Sequence, residues 1–374
     1  MICRHFGTCG GCSLPGMPYP EQLERKRRRL ATVLGVAVPP PIPSPREDRF
    51  RHKVAFVFGA DRRGRLVMGH YAAGSRTVVP IEECPVHSNR GNRLAFGLRD
   101  ALTQARVDPT LLRHVLVRTT DSSAEAAVML VVAENHRSLR APVRAFLAKP
   151  EPPDGFFINV NTRPGPLMTG RETIRIAGRA AVREDALGPS FLIAPDAFFQ
   201  TNVGAARDVL RLVLDAATGA RRVLDLYSGC GLFAVPLVLA GAQVTAVEEN
   251  ARSVDDAARN GRLNGVPAAR IRLVRARVED AMRRLGRERF DVVILDPPRQ
   301  GCASVVLDAL AEGLRPPRIV YVSCDPDALA RDLSRLRGGG YTIDTLQAVD
   351  MFPHTEHIET VVTLVSTRET LKRR

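Results

Sequence analysis

Two groups of cysteines in this chain have the spacing and setting to do chemistry. Cys230, Cys302 and Cys324 lie in the last half of the 374 residues, and Cys3, Cys9, Cys12 and Cys84 in the first quarter. Cys324 ends the strand-forming run RIVYVSC and is followed at once by Asp325 and Pro326. Free cysteines most often serve as small buried apolar residues. The polar turn SCDPDA argues instead for a thiol at a strand tip, where its thiolate can form a covalent intermediate. The first group has the spacing Cys3-x5-Cys9-x2-Cys12, with Cys84 far downstream in EECPVH. Four thiolates suffice for a tetrahedral zinc or an iron–sulfur cluster, and spacing alone leaves the two open. MICRHFGTCGGC lacks the basic-then-apolar pattern of a signal peptide, so a cytoplasmic setting is expected, where structural disulfides are rare.

The stretch VLDLYSGCGLFAVPLVLAGAQVTAVEEN begins at Val223. A predicted strand through Asp225 runs into the turn Gly229-Cys230-Gly231, where missing side chains let backbone approach a ligand, and a helix follows. The next strand ends in Glu248, whose carboxylate can take both hydroxyls of a ribose. Dinucleotide-binding folds share that acid. This loop, however, reads DxYxGxG rather than GxGxxG and has no Walker lysine; it resembles the S-adenosylmethionine site of class I methyltransferases. Asp296-Pro297-Pro298-Arg299 closes the fourth strand at the carboxyl edge, where such sheets bind ligands. It looks like the Asp/Asn-Pro-Pro loop of methyltransferases acting on planar nitrogen or base substrates.

Cys324 on that same edge suits one reaction well. Addition of its thiolate to C6 of a uracil makes the weakly nucleophilic C5 an enolate carbon that can attack a methyl sulfonium. A base must then remove the C5 proton before the thiol is eliminated. Glu359, in PHTEHIETV, is the chosen base; Glu356, His354 and His357 are its neighbours and rivals.

The elements that position these residues read as three units. Residues 1–38 hold three of the clustered cysteines and a helix over roughly Glu21–Leu34, and the link PPPIPSP cannot continue that helix. Residues 46–187, which include Cys84, carry short strands such as RFRHKVAFVFGA, RLVMGHYA, HVLVRT, AAVMLVVA, FFINVN and ETIRIAG, and predict an antiparallel sheet with a few helices. Residues 188–374 alternate strand and helix, which predicts a parallel sheet covered on both faces. Its last two strands are too close for a helical crossover, so an antiparallel pair is expected at the edge.

A formal charge of +14 favours a polyanionic partner, since each neutralised phosphate releases counterions. The run Arg25-Lys26-Arg27-Arg28-Arg29 is either part of that surface or a solvated helix face. No apolar run reaches the roughly 18 to 20 residues needed to span a bilayer, so no membrane partner is expected, and no obligate protein partner is evident.

CRHFGTCGGC, FFQTN (residues 198–202), DLYSGCGLF, DPPRQG, YVSCDP and MFPHTEHIE together resemble the RNA 5-methyluridine methyltransferases that carry a 4Fe-4S cluster. The resemblance runs from residue 3 to about residue 365. It implies an α/β class I methyltransferase (Rossmann-like) domain, a smaller central α+β domain that helps bind RNA, and an N-terminal iron–sulfur segment. It further implies a cluster on Cys3, Cys9, Cys12 and Cys84, a nucleophile at Cys324, a base at Glu359, and a donor site drawing on Gln200, Tyr227, Glu248 and Asp296. Bacterial members that modify tRNA position 54 lack the cluster cysteines, so the chain looks closer to the 23S rRNA enzymes. No TRAM barrel precedes the cysteines, as in the branch named for uridine 747. Asp325-Pro326 and the five-residue spacer after Cys3 look more like the branch that modifies uridine 1939. A flipped-out uridine 747 in 23S rRNA is the expected target; uridine 1939, tRNA uridine 54, and a non-catalytic iron–sulfur RNA-binding protein are the alternatives.

Overall fold

Alternating apolar residues in KVAFVFGA send Val54, Phe56 and Phe58 to one face of a strand, and the rest of the first sheet is built on that face. The computed structural model describes residues 3–14, 16–163, 168–286 and 288–367. A helix, α1 (Tyr19–Leu34), comes first and stops at Gly35, whose φ of 64° suits a residue without a β-carbon. The first sheet comprises β1 (Lys53–Ala60), β2 (Leu66–Tyr71), β3 (Val78–Pro80), β4 (Leu112–Thr119), β5 (Ala126–Val132), β6 (Gly155–Val160) and β7 (Glu172–Gly178), in the order β3-β2-β1-β4-β5-β6-β7. Helices α2 (Asn89–Gln104) and α3 (Arg140–Leu147) contribute Leu98, Leu102 and Phe146 to the core on one side of it. The sheet is mixed, not purely antiparallel: β5 and β6 run parallel, because α3 crosses between them.

A hairpin, β8 (Val182–Asp185) with β9 (Ser190–Ile193), and α4 (Val203–Ala216) lead into the second sheet. There β10 (Arg222–Leu226), α5 (Ala234–Leu239), β11 (Gln243–Glu248), α6 (Ala251–Leu263), β12 (Ile271–Arg275), α7 (Val278–Leu285), β13 (Val292–Leu295), α8 (Ser304–Asp308), β14 (Arg318–Ser323), α9 (Pro326–Gly338), β15 (Tyr341–Val349) and β16 (Glu359–Ser366) alternate. The strand order is β12-β11-β10-β13-β14-β16-β15. All neighbours through β14 are parallel, and β16 inserts antiparallel between β14 and β15. The order reverses between β10 and β13, which opens a crevice at the carboxyl ends of these strands.

One core joins the two sheets. Leu116, Met129 and Phe157 from the first pack with Phe191, Phe199 and the apolar face of α4 against Val223, Val320 and Val361 of the second. Leu30 of α1 is buried with Val38, Ala348 and Ile358, so this helix covers the second sheet. The basic run in α1 is therefore not uniformly solvated. Lys26 is fully buried, with its ammonium 2.7 Å from Asp350 and 3.0 Å from the Phe352 carbonyl. No helix among the described residues is long and apolar enough to cross a membrane.

Candidate active site

The carboxyl ends of β10, β11, β13 and β14 open into a cavity of about 1020 Å³. Gln200, Tyr227, Glu248, Asp296, Cys324 and Glu359 all line it. Tyr227 (φ 63°), Gly229 (φ 54°) and Gly231 (φ 89°) make the turn after β10 left-handed at alternate residues, so it folds tightly over the strand end. Glu248 braces this turn from β11, accepting the Gly229 N–H at 3.0 Å on one oxygen and the Asn250 N–H at 2.8 Å on the other. Beneath it Asp225 is fully buried, and burial, with Asp296 nearby, holds its carboxyl well above the usual range. The Asp-Pro-Pro loop is clamped from behind by Asp332, which accepts the Cys302 N–H at 2.7 Å and the Tyr321 hydroxyl at 2.6 Å. Gly301 (φ 77°) passes so close that a β-carbon there would lie 2.5 Å from the Asp332 carboxylate.

The turn after Cys324 is explained by helix capping. Asp325 accepts the Ala328 N–H at 2.9 Å as N-cap of α9, and Pro326 takes the first helical position, where its missing N–H costs nothing. Strand register then brings the thiol to a carboxylate. Ser323 of β14 stands opposite Thr360 of β16, so Cys324 and Glu359 are the next residues at that end of the ladder. Burial pushes the Cys324 thiol up to about 11, with Glu359 adding to the shift and Arg299 opposing it. Burial also raises Asp296 to about 7, and burial together with Asp296 holds Glu359 well above the ordinary carboxyl range.

Among the rivals to Glu359, His357 lines the cavity, with its ring 3.5 Å from the Arg299 guanidinium. Glu356 is paired with Arg25 at 2.8 Å, and His354 is buried away from the cavity among N-terminal residues. Arg51, Phe198 and Phe352 also line the site. Phe198 is 67% exposed, a flat apolar surface at the mouth on which a base can stack. No spacing rule marks Arg51, which enters the site because the chain just before β1 meets the FFQTN segment, with the His52 N–H donating to the Thr201 carbonyl at 2.7 Å; the alternation RFRHKV puts Phe50, His52 and Val54, not Arg51, on the buried face.

A second cavity of about 410 Å³ adjoins the first, and Arg51, Phe198, Phe199 and Thr201 border both. Cys3, Cys9, Cys12 and Cys84 line it. Burial pushes Cys12 up to about 12 and Cys84 to about 11, and neighbouring thiols add to both shifts. These mutual shifts show that Cys12 and Cys84 lie near other thiols of the group. Among the described residues, no three His, Cys, Asp or Glu side chains are grouped closely enough to hold a single metal ion.

Sheet order, switch-point crevice and braced glycine turn are those of an α/β methyltransferase. The sequence profile of the tRNA (uracil-5-)-methyltransferases matches residues 19–367. An uncharacterized RNA methyltransferase of Gloeobacter violaceus is 35% identical over 379 residues, covering 97% of this chain and 82% of that one. The tRNA (uracil(54)-C(5))-methyltransferase of Pyrococcus horikoshii is 33% identical over 370 residues, covering 97% and 85%. The crystal structure of the Pyrococcus abyssi tRNA (uracil-54, C5)-methyltransferase in complex with S-adenosyl-L-homocysteine superposes with a TM-score of 0.82 at 30% identity, covering 96% of this chain and 86% of that one. The chain belongs to this family and is an S-adenosylmethionine-dependent RNA (uracil-C5) methyltransferase.

Proposed function

We propose that Cys324 is the nucleophile and Glu359 the base of this reaction, acting on a uridine flipped out of its stack into the larger cavity. The observation that supports the assignment is the end of the β14–β16 ladder at Ser323 and Thr360, which leaves Cys324 and Glu359 as the next residues and both lining the cavity beside the glycine turn. The Cys324 thiolate adds to C6, and the electron pair moved to C5 takes the methyl group from the sulfonium donor. The Glu359 carboxylate then removes the C5 proton. The C5–H pair closes the C5–C6 double bond, and the sulfur leaves as thiolate. Glu248 holds the donor ribose, Gln200 and Tyr227 line its pocket, and Asp296 orients donor and uracil edge.

Cys3, Cys9, Cys12 and Cys84 would hold the metal centre. Four thiols spread around one cavity support a 4Fe-4S cluster over a single zinc ion, as does the family resemblance. Methyl transfer is redox-neutral, so the cluster's contribution when bound is to order the N-terminal segment as an RNA-docking surface.

We assign the target to uridine 747 of 23S rRNA, on the four clustered cysteines, which the family resemblance associates with the 23S rRNA enzymes. A second reading, uridine 54 of tRNA, is favoured by the Pyrococcus relatives. The test is to offer 23S rRNA and tRNA transcripts containing 5-fluorouridine, which has no removable C5 proton, together with S-adenosylmethionine. A denaturation-resistant adduct that disappears in Cys324→Ala supports the mechanism, and mapping the linked base names the target. Donor binding without any adduct would overturn the covalent mechanism.

A further inference from the structure

The loop that delivers Glu359 is held by the N-terminal segment. Residues 350–358 join β15 to β16 and place Phe352 and His357 in the cavity. At their centre His354 has φ 66°, a region seldom occupied by residues with a β-carbon. Something must hold it there, and the holders all come from the start of the chain. Its N–H donates to Gln22 Oε1 at 2.8 Å, and its carbonyl accepts the Ser13 and Leu14 N–H groups at 2.9 and 3.0 Å. Its ring Nε2 lies 2.7 Å from the Glu47 carbonyl, and Nδ1 lies 3.2 Å from Gln22 Nε2. A carbonyl can only accept, so Nε2 carries the proton and Nδ1 accepts from the Gln22 amide. Gln22, 0% exposed, gives its other amide hydrogen to the Met17 carbonyl at 2.9 Å. With both hydrogens and its oxygen committed in a buried setting, this side chain has one orientation available. Ser13 Oγ also accepts the Glu356 N–H at 3.1 Å, one residue after Cys12 of the thiol cavity.

We propose that Gln22 is a positioning residue for the proton-removal step: through His354 it sets the loop that presents the Glu359 carboxylate to the C5 proton. The inference rests on the reading of Glu359 as base. Most of β16 is fixed by its pairing with β14 and β15. Glu359 is its first residue, paired with Val349 of β15 but beyond the last β14 pair at Thr360, so the loop entering it sets the carboxylate while Cys324 and the donor turn stay in place. Addition at C6 and methyl transfer then proceed, and removal of the C5 proton with expulsion of sulfur lags.

Gln22→Met keeps the side-chain volume and helix preference of α1 and removes the three hydrogen bonds. Unmodified tRNA and 23S rRNA transcripts are incubated with S-adenosylmethionine, and turnover, KM for the donor and covalent protein–RNA adduct are measured, with Glu359→Gln alongside. The expected result is turnover lowered about 10- to 100-fold, an unchanged donor KM, and adduct accumulating on ordinary uridine as it does in Glu359→Gln. Wild-type turnover overturns the proposal, as does slow turnover without adduct. If Glu359→Gln traps adduct and Gln22→Met does not, the positioning role alone fails. If Glu359→Gln also traps none, the base assignment fails and takes this inference with it. Should Gln22→Met not fold, Gln22→Glu, which keeps an acceptor for the His354 N–H, is read against the same outcomes.

Discussion

The antiparallel insertion of β16 beside β14 sets Ser323 opposite Thr360, so Cys324 and Glu359 are the next residues at that end of the ladder and both line the same cavity. An all-parallel sheet would send the start of its last strand to the opposite edge. Turning β16 round delivers its first residue to the edge where β14 ends, so one topological exception in the sheet brings the proposed base to the proposed nucleophile.

Removing either partner should stop the reaction at a different point. Cys324→Ala is expected to abolish 5-methyluridine formation and the 5-fluorouridine adduct while leaving donor binding intact. Glu359→Gln should lower turnover by about 10²–10⁴-fold, the usual contribution of a positioned general base, and should accumulate adduct on ordinary uridine. Quantifying released and protein-bound RNA on denaturing gels checks both; adduct in Cys324→Ala would remove the thiol from the mechanism.

The acidic residues of the cavity predict the pH profile. Glu359 is held well above the ordinary carboxyl range by burial and by Asp296, yet it must be ionised to take the C5 proton. Turnover should therefore rise with pH above the ordinary carboxyl range. In Asp296→Asn the like charge is gone, the Glu359 pKa falls, and the rising limb should move to lower pH. Stability should move the other way. A carboxyl raised to about 7 binds its proton more tightly in the folded state, so its contribution is fully present below the unfolded value near 4 and is lost as pH rises toward 7. Thermal melts at pH 5 and 8 should differ less in Asp296→Asn than in the wild type.

Much of this site was legible because it lies where β-α alternation must put it. VLDLYSGCG, QVTAVE, VVILDPP and RIVYVSC each end at the same sheet edge, so the glycine turn, Glu248, Asp296 and Cys324 could be grouped before any coordinates. The choice among Glu359, Glu356, His354 and His357 was not legible in the residues alone, because it depends on the register of an antiparallel strand and on which neighbours the N-terminal segment occupies. For the same reason Arg51 went unnoticed, since a contact between segments distant in sequence brings it in. The basic run in α1 misled: Lys26 looks like its neighbours in sequence, but helix rotation turns it inward onto Asp350. The parallel β5–β6 pair was hidden because α3 is short and its crossover resembles a loop.

The thiol cavity carries its own test. Protein purified without oxygen should be brown, with broad visible absorption and about four irons per chain if a 4Fe-4S cluster is bound. Cys84→Ser should lose most of that iron, because the proposed fourth ligand would join the N-terminal segment to the first sheet and has no substitute nearby in sequence. Colourless protein with stoichiometric zinc would replace the cluster with a single ion.

The Lys26–Asp350 pair should matter to stability when broken and little when replaced. Both side chains are 0% exposed, and the ammonium also serves the Phe352 carbonyl at 3.0 Å. Lys26→Met leaves the Asp350 carboxylate buried without its cation, which should cost about 3–5 kcal/mol. Pairing it with Asp350→Leu removes the orphaned charge and should recover most of that loss, since a buried ion pair and a well-packed apolar pair are often nearly equal. Urea unfolding of the two single variants and the double variant measures the coupling. A single variant within about 0.5 kcal/mol of wild type would mean that water reaches Asp350 and that α1 is anchored by its apolar face, through Leu30, instead of by this charge.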